Sequence, residues 1–384
     1  MKLKNQSGTA RQFHRGGQGW LYFDANSIGA MPKIAARRLA RLLEEWRTLR
    51  RRGWSDADWL DAPRRLGDKL APVIGARKGS VIVGDSTSIN LHKALTMAVR
   101  LSASMRPRRR RIVTESGTFP TDLYVAQNVA RQFGCRIVMV DDPAKLDAAM
   151  DSRTAVVYLS HTDYRTGYRH DLRAVTRRAH ARGALTVWDL SHSAGAVPTE
   201  VAKGNADFAV GCGYKYLCGG PGAPGYLYVA PRLQGRVEPA LWGWFGHADP
   251  MAFEPRFRPA RGVQRHAIGT PAVSGNVLFE AALDVFSKTR LSSLYARHET
   301  LSQLLIRLAP KELELASPED PDKRGGFVAF CHRNAKKLVK ELERRRVVAS
   351  MRPPDIVRFG ISPLYHREAD VRELARRLKK AFSS

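Results

Sequence analysis

Between residues 186 and 215 the chain reads TVWDLSHSAGAVPTEVAKGNADFAVGCGYK, setting Asp189, His192 and Lys215 into an apolar, glycine-rich run. A lysine amine can condense with a carbonyl, and a carboxylate can keep a ring nitrogen protonated. Together they suit chemistry in which an electron-poor heterocycle draws electrons from a bound amino acid. An Asp and a Lys at such a distance are equally compatible with a salt bridge or a helix cap, so the pair carries weight only if other positions agree. Asp189 follows the strand-like ALTVW, and Lys215 comes 26 residues later (215 − 189), after the strand-like ADFAVGC. Neighbouring parallel strands would bring both to the carboxyl edge of a sheet, where ligands of such sheets bind.

Pyridoxal phosphate is the cofactor that uses a lysine and a carboxylate in this way, and it makes further demands. Its phosphate calls for backbone N–H groups at a helix N-terminus with hydroxyls nearby, and GDSTSIN (84–90) supplies Ser86 and Thr87 between a strand and a helix. The same residues also read as a plain N-cap. The ring calls for an aromatic face, and Phe119, in TESGTFPTDLY, sits in a loop just beyond another strand. Tyr214, next to Lys215, could put a hydroxyl near phosphate and substrate or simply pack.

The elements that must position these residues follow from the hydrophobic pattern. From about residue 80 to 230 short β-branched runs (VIV, RRIVTES, RIVMV, TAVVYLS, ALTVWDL) alternate with helical patterns, which predicts a mostly parallel sheet flanked by helices. Beyond about 275 longer helices and the strand-like GGFVAF and DIVRFG predict a smaller α+β unit. The expected division is an N-terminal segment 1–50 with a helix at the junction, a large cofactor-binding domain 51–275 and a small domain 276–384.

A chain of 384 residues can bury a sizeable core. Cys135, Cys212, Cys218 and Cys331 lack ligand spacing, so no metal site and no disulfide framework is expected, and a cytoplasmic location fits. The opening MKLKNQSGTARQFHRGGQ lacks the apolar core of a secretory signal, and no run is long enough to span a membrane. The net charge of +28 would attract polyanions. Its arginine runs fall on helix faces and loops without interleaved aromatics, so no specific nucleic-acid partner is expected.

From YFDANSIGAMP (22–32) to RFGISPLY (358–365) the chain resembles the kynureninase family, within the class V, fold-type I pyridoxal-phosphate enzymes. WDLSHSAGAVP (188–198), ADFAVGCGYKYLCGGPGAPGYLYV (206–229) and WGWFGH (242–247) carry the likeness, with GDSTSINLHK (84–93), FPTDLY (119–124), SHTDYRTGY (160–168) and GTP (269–271) in support. The resemblance implies the fold-type I pyridoxal-phosphate transferase fold and hydrolysis of the Cβ–Cγ bond of L-kynurenine, or its 3-hydroxy form, to anthranilate or 3-hydroxyanthranilate and L-alanine, a step of tryptophan breakdown. It implies Lys215 as the cofactor lysine and α-proton base, Asp189 as the ring-nitrogen partner, His192 as an orienting residue, Phe119 as the stacking ring and Asp122 close to the cofactor. Ser86, Thr87 and Tyr214 would hold the phosphate, with Tyr214 also moving protons at the γ-carbonyl. Arg358 would grip the substrate carboxylate, and Trp54 would flank its aryl ring.

The resemblance further implies a homodimer, with Trp244 and Thr270 reaching the partner's site. Thr270 stands where eukaryotic relatives carry Asn, a bacterial-like feature that points toward kynurenine over its 3-hydroxy form. Other class V activities, aminotransferase or cysteine desulfurase, stay open on the residues alone. So does a non-catalytic basic protein on the same fold, although Cys331 reads as buried filler rather than as a desulfurase nucleophile.

Overall fold

The computed structural model describes residues 7–14, 16–17 and 19–382; the basic opening run, 1–6, lies outside the described residues. Its strands are β1 (Leu21–Tyr22), β2 (Val81–Val83), β3 (Arg111–Glu115), β4 (Arg136–Val140), β5 (Thr154–Ser160), β6 (Leu185–Asp189), β7 (Phe208–Cys212) and β8 (Gly225–Val229). The later strands are β9 (Glu314–Leu315), β10 (Phe327–Cys331), β11 (Val347–Val348), β12 (Ser350–Arg352) and β13 (Ile356–Gly360).

Seven strands form one sheet in the order β2-β8-β7-β6-β5-β3-β4. All run parallel except β8, which is antiparallel to both β2 and β7. Every residue of β5, β6, β7 and β8 is buried. That is why these strands read as continuous apolar runs rather than as alternating ones. Helices Thr87–Met105, Pro120–Gln132 and Leu172–Ala181 cover the faces. Their starts are set by local chemistry: the Ser86 hydroxyl accepts from Ile89 N–H, Asp171 accepts from Ala174 N–H, and Pro120 occupies the first turn of its helix.

Because the parallel strands share one direction, their carboxyl ends deliver the segments 84–87, 116–119, 161–164, 190–193 and 213–215 to one edge of the sheet. Helix Lys33–Leu49 and helix Ala62–Leu70 pack against helix Val273–Ser287. There Arg38 and Lys69 meet Glu280 and Asp284.

The smaller sheet, in the order β12-β13-β10-β9, is antiparallel throughout. Val328, Phe330, Val357 and Phe359 pack in its core with Leu338, Leu342 and Leu374 from helices Ala335–Arg344 and Glu368–Phe382. Phe279, Leu283 and Phe286 of helix Val273–Ser287 belong to the large core. Within helix Leu291–Leu308, Leu294 joins the large core, while Leu301, Leu304 and Leu305 join the small one. A parallel β1–β11 pair and a bridge between Asp24 and Gly360 tie the N-terminal segment to the small unit.

That bridge needs a glycine. A methyl group at Gly360 would overlap the Asn26 side chain and lie 2.8 Å from the backbone nitrogens of Ala25 and Asn26. Gly360→Ala is therefore expected to cost about 2 kcal/mol, the usual range for overpacking a closed site. Urea denaturation of both proteins checks this, and an unchanged midpoint would show that the bridge can relax.

Candidate active site

Asp189 ends β6, Cys212 ends the neighbouring β7, and the turn after Cys212 returns Lys215 to the same edge. Lys215 Nζ lies 3.2 Å from His192 Nε2 and 5.9 Å from the centre of the Tyr214 ring. Asp189 is buried, and among the described residues both hydrogen bonds to its carboxylate go to one oxygen: Oδ1 accepts from the Ser191 amide at 3.0 Å and from its hydroxyl at 2.6 Å. Oδ2 has no hydrogen-bond donor among the described residues. Burial raises the Asp189 carboxyl above its ordinary range, while the Lys215 charge and the Ser191 hydrogen bonds oppose the rise.

His192 is driven the other way. Burial first, and then the cations of Lys215, Arg358 and Arg352, hold its imidazole well below the ordinary range, so it is neutral near pH 7. The Tyr214 hydroxyl is raised by burial and by Cys212. Asp122, in the first turn of helix Pro120–Gln132, is also buried, and its Oδ2 accepts from the Tyr158 hydroxyl at 2.7 Å. Burial and the nearby Asp189 push its carboxyl up to about 7.

On the small-unit side Arg358 is 0% exposed. Its Nη1 donates to the Tyr164 carbonyl at 2.5 Å, its Nη2 donates to Ser350 Oγ at 3.1 Å, and its carbon lies 5.3 Å from the centre of the Phe327 ring. Its Nε has no acceptor among the described residues. Burial lowers the guanidinium to about 10, so it stays cationic near neutrality.

The residues present fit pyridoxal phosphate. Asp189 offers an unshared carboxylate oxygen opposite a lysine amine. At the start of helix Thr87–Met105 the amides of Thr87 and Ser88 have no acceptor among the described residues, as expected of a first turn. Space beside that turn is kept by Gly225, where a methyl group would lie 3.0 Å from Thr87 N and 2.9 Å from the Gly211 carbonyl. Two amides without acceptors beside a space that a side chain at Gly225 would fill are what an anion cradle requires.

Other expected residues lie further out. Phe119 is 41% exposed and meets Tyr164 edge-on at 5.3 Å. Trp244 is 45% exposed in the short helical turn Trp244–Gly246, and Thr270 is exposed beyond it. Trp54 packs edge-on against Trp59 at 5.5 Å. Among the described residues, no hydrogen bond or ring contact joins Trp244, Thr270 or Trp54 to Lys215. Cys331 ends β10, paired with Glu314 of β9 and Ile356 of β13, and is half-buried rather than buried as expected.

Several neighbours went unnoticed in the sequence. Tyr158 is hidden inside TAVVYLS, Arg352 near His192 and Arg358 precedes two prolines, and Asp24 beside Arg358 stands in YFDANSIG without a separate signal.

Comparison with known proteins agrees with this geometry. A family model described as the kynureninase C-terminal domain matches residues 294–378. The kynureninase of Pseudomonas fluorescens is 45% identical over 356 residues, covering 91% of this chain and 86% of that protein. The kynureninase of Burkholderia pseudomallei strain K96243 is 42% identical over 361 residues, covering 92% and 87%.

Among solved structures, a C-DES variant with glycine covalently linked to its pyridoxal-phosphate cofactor superposes with a TM-score of 0.83 at 20% identity, covering 96% of this chain and 98% of that one. An apo cysteine desulfurase from Thermococcus onnurineus NA1 gives 0.81 at 19% identity over 100% of both chains. At such identities the likeness shows the fold, which is that of the fold-type I pyridoxal-phosphate enzymes.

Asp122 provides a test in the cofactor-free protein. Its folded value is raised above its unfolded one, so the folded state holds a proton that the unfolded state gives up between about pH 4 and 7. Its contribution to stability is fully present below that window and is lost as pH rises through it. Melting curves from pH 5 to 8 are expected to slope less in Asp122→Asn than in the parent. Equal slopes would show that Asp122 ionises normally.

Proposed function

The chain belongs to the kynureninase family and is a pyridoxal-phosphate-dependent hydrolase that cleaves the Cβ–Cγ bond of L-kynurenine to anthranilate and L-alanine; on that premise we propose the following roles for its residues. The observation that supports them best is the meeting of Lys215, His192 and the half-unpaired carboxylate of Asp189 at one sheet edge.

When bound, the cofactor supplies an electron sink for the carbon bonds next to the substrate's amino group. Lys215 would hold the cofactor, and its amine, when free, would take the substrate's α-proton. Asp189 Oδ2 would keep a proton on the cofactor's ring nitrogen, a task suited to a carboxylate backed by the Ser191 amide and hydroxyl. Neutral His192 orients the Lys215 amine through Nε2. Phe119 would offer an aromatic face to the cofactor, and Asp122 would lie close to it. Ser86, Thr87 and Tyr214 hold the phosphate. Tyr214 also moves the proton needed as water adds at the γ-carbonyl and the carbon–carbon bond breaks.

Arg358 binds the substrate's α-carboxylate, with the unpartnered Nε–H as a donor already desolvated for it. We further propose a homodimer in which Trp244 and Thr270 complete the partner's site, with Trp54 and Phe245 adding flat faces for the aryl ring. Thr270 favours kynurenine over its 3-hydroxy form. Four free cysteines fit a cytoplasmic enzyme of tryptophan breakdown.

Incubation with L-kynurenine is expected to give anthranilate fluorescence and alanine without consuming a keto-acid. Borohydride reduction is expected to fix the cofactor's mass on the peptide containing Lys215, and Lys215→Ala is expected to lose both signals. Turnover retained by that variant would sink the assignment. Inactive Lys215→Ala subunits mixed with Trp244→Ala subunits are expected to recover about a quarter of parental activity, because half the dimers would carry one intact site. No recovery, with subunit exchange shown by native mass spectrometry, would place Trp244 outside the partner's site.

A further inference from the structure

One buried cation takes no part in the chemistry above. Lys93, on helix Thr87–Met105, is 3% exposed, and a buried ammonium needs partners. Its Nζ donates to Asp85 Oδ2 at 2.5 Å and to the His266 carbonyl at 2.9 Å, with Asn90 Oδ1 at 3.5 Å.

The first partner belongs to the phosphate cradle. Asp85 immediately precedes Ser86 and adopts φ +54°, a left-handed conformation that residues other than glycine seldom occupy without support. Its carbonyl accepts from Gly225 N–H at 2.8 Å, and Asn90 Nδ2 holds the Gly84 carbonyl at 2.8 Å, so the turn is braced on both sides.

The second partner belongs to a distant stretch of chain. His266 closes the short helical turn Gly262–His266, four residues before Thr270. From there Gln264 Nε2 donates to the Phe245 carbonyl at 2.9 Å and Phe245 N–H donates to the Ile268 carbonyl at 3.1 Å. A methyl group at Gly246 would lie 2.6 Å from the Ala267 carbonyl, so the two strips of backbone are in close contact. The segment carrying Trp244 is thus fastened to the segment that Lys93 grips.

We propose that Lys93 is a positioning residue that couples the cofactor-phosphate cradle at Ser86 and Thr87 to the segment bearing Trp244 and Thr270. Filling the cradle in one subunit would then steady the residues that complete the other subunit's site, through one ammonium shared by two pieces of backbone. This rests on the cofactor and cross-subunit roles proposed above. The coupling itself needs only that a phosphate enter the cradle.

The test is amide hydrogen exchange on the full-length protein, with and without pyridoxal phosphate. In the parent, cofactor is expected to slow exchange in peptides covering 84–92 and 243–270. In Lys93→Met it is expected to slow the first and leave the second unchanged, with cofactor affinity at least tenfold weaker by absorbance titration of the apoenzyme. If Lys93→Met does not fold, Asp85→Gly, which keeps the left-handed turn and removes only the carboxylate, is expected to decouple the two segments in the same way. Protection of 243–270 in the variant equal to that in the parent would overturn the proposal. A parent that shows no protection at 84–92 would instead remove the cradle assignment on which it stands.

Discussion

Much of this site follows from placing one carboxylate where water is scarce. Asp189 ends a strand whose five residues are all buried, beside other strands equally buried. An isolated anion there would neutralise itself. Two Ser191 donors on one oxygen and the Lys215 amine across the pocket oppose that tendency, leaving the second oxygen unshared. The same burial keeps His192 neutral among three cations, with its Nε2 3.2 Å from Lys215 Nζ. A deep parallel sheet provides this setting because its strand ends lie between covered faces and open onto a single edge.

The overall charge of +28 hardly enters this balance. Many of the arginines lie on exposed helix faces beside carboxylates three or four residues away, as in Arg47 with Glu44, Arg52 with Asp56, Arg64 with Asp61 and Arg376 with Glu373. Such pairs add little to stability, and salt screens them. The buried cations behave differently. Lys93 and Arg358 are held by backbone carbonyls and side-chain oxygens, and their loss would leave those acceptors without donors. Basicity is a property of the surface, whereas function draws on the few charges that the fold encloses.

These two populations also explain what could be read from the chain. Asp189, Lys215, Ser86 and Phe119 were legible because each directly follows a strand-like run, and strand ends in an α/β sheet converge by topology. Tyr158 was not, because TAVVYLS is apolar on both faces and only the structure shows its hydroxyl aimed at Asp122. Lys93 was not, because LHKAL reads as a helix with two ordinary polar positions, His92 and Lys93. The reversal of β8 was invisible as well: GYLYV has the buried pattern of its parallel neighbours, and direction depends on the connection rather than on composition. Likewise, the helix pattern beyond residue 275 does not tell which core a helix joins. Leu294 and Leu301 lie on one helix, yet they pack into different cores.

The aromatic residues of segment 242–257 carry the reasoning one step further. Trp242 stacks on Phe257 at 5.0 Å, Trp244 meets Phe245 at 4.6 Å, and Phe253 is 75% exposed. A cluster of large rings at the surface marks a contact face. Hydrolysis of a ketone side chain has the same need from the chemical side. One water must reach the γ-carbonyl, while bulk water must be kept from Asp189 and Lys215, since the unshared carboxylate oxygen acts strongly only in a low dielectric. A single chain leaves Phe119 and Trp244 open to solvent. Cover over Phe119 and Trp244 would serve both needs at once, shielding exposed rings and keeping bulk water from the carboxylate and the amine.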